Sequence, residues 1–420
     1  MASYSEAEDR DWAITLLREL VAVPSVSGSG READCQRIVE RELRLLGLDL
    51  DIWEPNVDEL RGHRAYIDTP NGYANRPVVV GYLRGTGGGR SLALNVHVDV
   101  VPVDPGGVWT RDPWGGEVED GKLYGRGSAD MKGGVVAALL ALRLLHRDGV
   151  PLGGDVVLQS VCDEEEGGNT TLACLLRGHT ADATVFLEPT GTGRLVISSR
   201  GAQFFRLTVE GEEGGTEYRE RLANAITHAI TLYRAVEDYV LMRESSVAHP
   251  LYDDHGTKVP LAICTIRAGV WPSTVPGDCV MEGTIECVPG EDLEAVKANF
   301  ARYLDAVAAT DPWLKAHPPR LAWFGLYLEP AAIAPDAPIV RAVQNATEAE
   351  TGLRPPAVGG GGSDLRLPIL YGKSLSVLFG PGGSPVHVSD EWVDIDQVLI
   401  SARITARLAR EWCGVYNPLP

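Results

Sequence analysis

From Asp11 to Leu46, apolar residues recur at three- and four-residue intervals on both sides of AVPSVSGSGRE. That spacing predicts two helices broken by a Pro/Ser/Gly turn, with Ser29 placed to cap the second. Short, branched runs follow in DLDIWE, VVVGYLRG and SLALNVHVDVV, the pattern of strands. The stretch VVAALLALRLLHRDG is apolar nearly all round, as in a helix buried on every side. DVVLQSVC and ATVFLEP are again strand-like. Strand alternating with helix predicts an α/β fold, a mainly parallel sheet with helices on both faces.

The style changes near Arg200. RGAQFFRLTVEG alternates more strictly, LANAITHAITLYRAVEDYVLMRE has the length and spacing of a long helix, and LAICTIRAGV and CVMEGTIECVP resemble antiparallel strands. A second helix in LEAVKANFARYLDAVAA and a strand in PRLAWFG complete a β-α-β-β-α-β order, that of a small α+β split-βαβ sandwich. Past Pro330 the first style resumes with IVRAVQNATEAETG, KSLSVLFGPGG and a closing helix. The expected organisation is therefore a catalytic-type domain over 1–198, an inserted domain over 199–329, and the rest of the first domain over 330–420. At 420 residues, two compact units are the natural expectation.

Composition narrows the class. Hydrophobic residues make up 44% and charged residues 23%, the balance of a folded globular chain. Lys+Arg 38 against Asp+Glu 58 gives a net charge of −20, which argues against nucleic acid or an anionic membrane as partner. The opening MASYSEAEDRDW lacks the basic and apolar regions of a secretory signal, and Val135–Leu145 is too short to span a bilayer. Seven scattered cysteines without a CxxC do not form a disulfide framework, and Cys162 is expected as a buried free thiol. A reduced, cytoplasmic setting is the expectation.

The chemistry-bearing residues sit at strand ends. His97 and Asp99 are two apart, so on a strand they share a face, and a carboxylate there can fix the tautomer of a metal-binding imidazole. Asp130 lies in GRGSADMKGG between a glycine turn and a buried helix; it suits a helix cap, or a carboxylate bridging two cations. DEEEGG places Asp163, Glu164, Glu165 and Glu166 directly after a buried strand. Glu188 follows ATVFL in the same way, and His387 lies beyond the glycine turn of SLSVLFGPGG. Each has an ordinary structural explanation alone. Together they gather at the carboxyl edge of one parallel sheet, where ligands bind in such folds. Two histidines and three carboxylates suit a pair of zinc ions, which can activate water and polarise a carbonyl, with a free glutamate left to take the proton.

In AVPSVSG, HVDVVP, GRGSADMKGG, DEEEGG, EPT, GGSDLR and GPG…HVSDE, taken in that order, the chain resembles the co-catalytic zinc peptidases, the family of acetylornithine deacetylase, succinyl-diaminopimelate desuccinylase, carboxypeptidase G and aminoacylase. The resemblance covers almost the whole length. It implies one metal on His97, Asp130 and Glu188 and a second on Asp130, Glu165 and His387, with Asp130 the bridge, Glu164 the general base and Asp99 the partner of His97. The ions implied are divalent: zinc, with cobalt or manganese as alternatives. The substrate implied is a small-molecule amide, an N-acyl amino acid or a small peptide. The inserted domain is implied to be a lid through which the chain forms a homodimer. Gly362 and Ser363 fall in the family's substrate-contacting glycine loop, and Arg200 and Arg366 are candidates for binding a substrate carboxylate, with ordinary ion pairs as the alternative.

One departure stands out. The family carries a lid histidine where this chain has Gly215, within VEGEEGGTEYRERLANAI, and Ser273 and Glu286 stand where many members have Asn and Arg. That histidine stabilises the oxyanion in many members. Its loss admits an amide-forming or acyl-transferring enzyme on the same metals, or a silent metal-binding relative, beside ordinary hydrolysis. A turn demanding positive φ is the plainer reason for a glycine there.

Overall fold

The computed structural model describes residues 6–415 apart from 70, 105, 150 and 254, so MASYS and the last five residues lie outside the described part. The chain divides into two compact units, Met1–Ser198 with Ala332–Pro420, and Ser199–Ala331.

The larger unit is built on an eight-stranded sheet. In spatial order its strands are Asp49–Trp53, Val78–Leu83, Val156–Val161, Leu92–His97, Ala183–Phe186, Leu375–Leu378, Leu195–Val196 and Ala357–Val358. The four central strands, from Val156–Val161 to Leu375–Leu378, run parallel, while antiparallel pairings flank them. Every residue of Leu92–His97 and Val156–Val161 is buried, as a strand covered on both faces requires. Helices cover both faces, as the alternation predicts. Gly133–Asp148 and Ile395–Cys413 pack together over Leu92–His97; Asn169–Leu176 and Arg366–Tyr371 pack together over Val156–Val161 and Leu375–Leu378. The helix expected to be apolar all round is buried from Gly133 through Leu142.

The two N-terminal helices are Glu6–Val21 and Glu32–Leu45. Ser29 is not the cap of the second. Its Oγ accepts the Arg31 N–H inside the turn, and the Glu32 carboxylate swings back to accept the Gly28 N–H at 2.8 Å. Cys162 is buried and free, and so are the other cysteines apart from Cys264, which is free and exposed.

In the smaller unit, strands Leu261–Ala268, Asp278–Cys287, Gly201–Glu210 and Arg320–Leu328 form one antiparallel sheet in that order, with helices Ala225–Ser246 and Leu293–Ala308 between them in the chain. This is the split-βαβ arrangement. Phe205, Leu207 and Val209 alternate inward from Gly201–Glu210 onto the helices, where Phe205 meets Phe300 at 5.2 Å between ring centroids. Asn224 and Asp292 cap the two helices, each accepting N–H groups of the first turn.

Candidate metal centre

Each of the four central parallel strands ends at a candidate ligand. Leu92–His97 ends on His97, Val156–Val161 runs into Glu164 and Glu165, Ala183–Phe186 into Glu188, and Leu375–Leu378 into the loop that carries His387. Parallel strands present their carboxyl ends at one edge, so residues far apart in sequence arrive together. Asp130 comes from the irregular segment Ser128–Lys132 ahead of the buried helix. Its φ of −114° and ψ of 96° are not helical. It caps nothing; its carboxylate faces the two histidines instead.

The distances fall into two linked sets. His97 Nε2 is 3.1 Å from Asp130 Oδ1 and 3.8 Å from Glu188 Oε1. His387 Nε2 is 3.4 Å from Asp130 Oδ2 and 3.1 Å from Glu165 Oε2. The two oxygens of Asp130 thus face different imidazoles. Glu164 also closes on the first set: His97, Glu164 and Glu188 each offer an atom within 4.8 Å of the others, as do His97, Asp130 and Glu165.

The strand proper stops at His97, so Asp99 lies just beyond it; the pair still forms. His97 Nδ1 lies 2.9 Å from the Asp99 carbonyl oxygen and 3.5 Å from its Oδ1. Asp99 Oδ2 accepts from Ser27 Oγ at 2.6 Å and from the Glu165 N–H at 3.3 Å. Ser27 belongs to the AVPSVSG turn, which explains that motif: it braces the carboxylate that orients His97.

The four acids of DEEEGG divide. Asp163 turns into the core, where Tyr73 OH donates at 2.6 Å and Thr170 donates through N and Oγ1; burial pushes its carboxyl up to about 7. Glu166 pairs with the buried Arg76 at 3.2 Å. Glu164 and Glu165 remain for the site.

Electrostatics test whether cations fit. Burial, then Glu188 and Asp364, raise the Glu164 carboxyl well above its usual range. Glu188 is raised by burial and by Asp130 and Glu165, and Glu165 by burial and Asp130, although each also feels a histidine. Burial opposes charge on Asp130, yet hydrogen bonds from His387 and His97 hold its carboxyl below the usual range. His387 is raised to about 10 by Asp130 and Glu165. Four carboxylates thus face two imidazoles, and Glu165 Oε1 is buried with no hydrogen-bond partner among the described residues. Divalent ions would offset this surplus of negative charge, and the imidazole and carboxylate donor set fits them.

The candidate substrate residues are placed differently. Gly362 is exposed and Ser363 buried in the loop before Arg366–Tyr371. Arg366 is itself 1% exposed; its guanidinium donates to Gly167 O at 3.0 Å and lies 3.4 Å from Asp364 Oδ1. Asp364 in turn presses on Gly168, where a Cβ would lie 1.8 Å from Asp364 Oδ1. These contacts favour the ion-pair alternative for Arg366, a brace between its loop and DEEEGG. Arg200 belongs to the smaller unit. There it donates to Thr257 O at 2.9 Å, stands over the Tyr252 ring, and lies 3.7 Å from Glu286, whose carboxyl burial pushes up. Ser27, Arg76 and Asp364 were not singled out from the sequence. Ser27 and Asp364 nonetheless fall inside recognised motifs; Arg76 carries no local signal at all.

A mainly parallel sheet with a histidine–carboxylate cluster at its carboxyl edge, in a chain that also has an α+β unit, is the framework of a metal-dependent hydrolase of C–N bonds, the class to which the chain's family and relatives belong. The chain belongs to peptidase family M20/M25/M40, whose model matches residues 93–411. It is 28% identical to the N-formyl-4-amino-5-aminomethyl-2-methylpyrimidine deformylase of Halalkalibacterium halodurans, over 97% of this chain and 95% of that one. It is 32% identical to the succinyl-diaminopimelate desuccinylase of Methylobacterium radiotolerans, over 95% and 96%. Among solved structures, an M20 family metallo-carboxypeptidase from Sulfolobus solfataricus matches with a TM-score of 0.74 at 18% identity, covering 95% of this chain and 99% of that one, a likeness of fold. The family is metal-dependent, with dinuclear sites. No helix among the described residues is long and apolar enough to cross a membrane.

Proposed function

We propose that the chain is a two-metal amidohydrolase that removes a small acyl group from an amine nitrogen, as in an N-acyl amino acid or small peptide. The observation that carries this is Asp130, whose two oxygens face His97 and His387 separately and so suit a bridge between two ions. His97, Asp130 and Glu188 would hold one ion; Asp130, Glu165 and His387 the other. Zinc fits the donor set best. When bound, such a pair lowers the pKa of water and polarises the amide carbonyl.

The protein's own groups do the rest. Asp99 and Ser27 hold the ring of His97 in place. Glu164, which shares the site with His97 and Glu188 but is not needed as a ligand, takes the proton of the attacking water and returns it to the leaving nitrogen. The relatives support an acylated amine as substrate, one being a deformylase and the other a desuccinylase. The test is Glu164→Gln beside Glu165→Gln, assayed on formyl- and succinyl-amines with metal content measured. Glu164→Gln should keep its metals and lose at least about 10²-fold in rate; Glu165→Gln should lose metal. The reverse pattern would exchange the two roles.

The smaller unit supports a homodimer. Helix Ala225–Ser246 exposes Ile226, Ile230, Tyr233 and Leu241, and the edge strand Leu261–Ala268 exposes Ile266, with Val270 and Trp271 just beyond it. Scattered apolar residues need no explanation, but an apolar helix stripe and an unpaired strand edge on one small unit do. A strictly monomeric mass at micromolar concentration would rule the dimer out.

A second reading, amide formation or acyl transfer, draws on Gly215. This residue lies in the short strand Gly214–Gly215, paired with Thr274–Val275, at φ −60° and ψ 149°. Positive φ is therefore not the reason for glycine here. The atoms nearest a Cβ there would be the carboxylate end of the flexible Glu217. The backbone accepts a side chain at 215 once Glu217 moves aside, which supports reading the glycine as a change in the chemistry of the site rather than a demand of the turn.

A further inference from the structure

The motif GPG…HVSDE ends in Glu391, which neither the ligand set nor the general base uses. Its carboxylate is 1% exposed and fully engaged. Oε2 accepts from Arg126 Nη1 at 2.7 Å and from the Gly127 N–H at 3.1 Å. Oε1 accepts from the Ala129 N–H at 3.0 Å and from the Asp130 N–H at 3.1 Å. Three of the four donors are main-chain amides of the segment that carries Asp130, and one is the amide of Asp130 itself.

The same carboxylate governs a second loop. Glu391 is four residues past His387, which sits in the left-handed region at φ 62°. Arg126, paired with Glu391, also donates to Val388 O at 3.3 Å, and the Gly125 N–H donates to Glu391 O at 2.8 Å. Beyond it, Trp392–Asp394 pairs with Lys122–Tyr124. Strand pairing therefore sets the two loops side by side, and the carboxylate fixes how the Asp130 segment turns between them.

We propose that Glu391, braced by Arg126, is a positioning residue that sets Asp130 and His387 at the spacing one metal ion requires. The proposal rests on the two-metal reading. An amide nest around a buried carboxylate is rigid because each donor is satisfied only when the segment 127–130 keeps its present path. Replacing the carboxylate with an amide removes one acceptor and sets an N–H₂ against donors, so the segment must shift. Groups that orient metal ligands typically contribute about 10–100-fold to metal affinity.

The experiment is Co²⁺ titration of the metal-stripped full-length protein, by calorimetry and visible absorption, well below its unfolding temperature. Wild type should take up two ions. Glu391→Gln should bind them about 10–100-fold more weakly, with an altered Co²⁺ absorption band and unchanged far-ultraviolet circular dichroism. A contact that only held the fold together would lower the unfolding temperature and leave affinity and spectrum alone; that result overturns the proposal. Should Glu391→Gln not fold, Arg126→Gln replaces it under the same criterion, with a loss of at least about threefold expected from its single hydrogen bond to the carboxylate. Failure of wild type to bind two ions would sink the two-metal reading and this proposal together. A normal wild type with an unaltered variant would sink this proposal alone.

Discussion

Arg76 gives the sharpest energetic test of how the candidate centre is supported. Its side chain is 1% exposed, and its partners Glu32 and Cys162 are buried with it in the larger unit. Nε donates to Glu32 Oε1 at 2.8 Å, Nη1 to Gly72 O at 3.1 Å, and Nη2 to Cys162 O at 2.9 Å and Glu166 Oε2 at 3.2 Å. Arg76→Met keeps much of the volume and removes the fork. Among the described residues Glu32, 0% exposed, then retains the Gly28 N–H and a longer contact to Ser29 Oγ at 3.3 Å. Breaking one side of a buried ion pair typically costs about 3–5 kcal/mol, because a charge is left uncompensated. Against a total stability of about 5–15 kcal/mol for an ordinary domain, that is a large share. Urea unfolding followed by tryptophan fluorescence measures it, with a separate transition allowed for each unit. The double variant Arg76→Met with Glu32→Gln should recover at least about 1 kcal/mol, since the orphaned charge is gone. A single-variant cost below about 1 kcal/mol, the range of exposed ion pairs, would refute the reasoning. So would a double variant no more stable than the single one.

Two further predictions concern the site itself. Asp130→Ala should lose both ions together, because one carboxylate faces both histidines; metal analysis finding one ion undisturbed would exclude the bridge. Gly215→His should fold normally and raise the hydrolysis of simple acyl amines if the lid histidine is what the chain lacks, an oxyanion donor being worth about 10²–10³ in rate; efficient hydrolysis by the unaltered chain would show that another group serves.

The α/β class and the split-βαβ style of the smaller unit were legible because alternation and apolar runs are local signals. So was the position of His97, Glu164, Glu165 and Glu188 at or just past strand ends. What was not legible depended on contacts between distant segments. The Ser29 cap failed because Glu32, drawn back by Arg76, reshapes the turn from 44 residues away. The four central strands are parallel but antiparallel pairings flank them on both sides, since pairing there depends on which strand finds which neighbour. The acids of DEEEGG are indistinguishable in sequence, yet Tyr73 and Thr170 claim Asp163 and Arg76 claims Glu166.

The braces share a physical logic that the ligands alone do not reveal. Each loop at the sheet edge is short of regular structure, so its backbone polar groups need partners from elsewhere. Ser27 and the Glu165 amide converge on Asp99, Arg76 holds Cys162 O, Arg366 holds Gly167 O, and Glu391 holds the amides around Asp130. Every one of these links joins two segments distant in sequence, and each has a buried charged side chain at its centre. A cluster of carboxylates that repel one another would spread if its loops were free. Buried ion pairs contribute little net stability but are costly to break, which makes them suited to holding a strained arrangement in one geometry. Substitution of any brace should therefore act on metal binding before it touches the chemistry, whereas substitution of Glu164 should do the opposite. That contrast separates the residues that build the centre from the one that works in it.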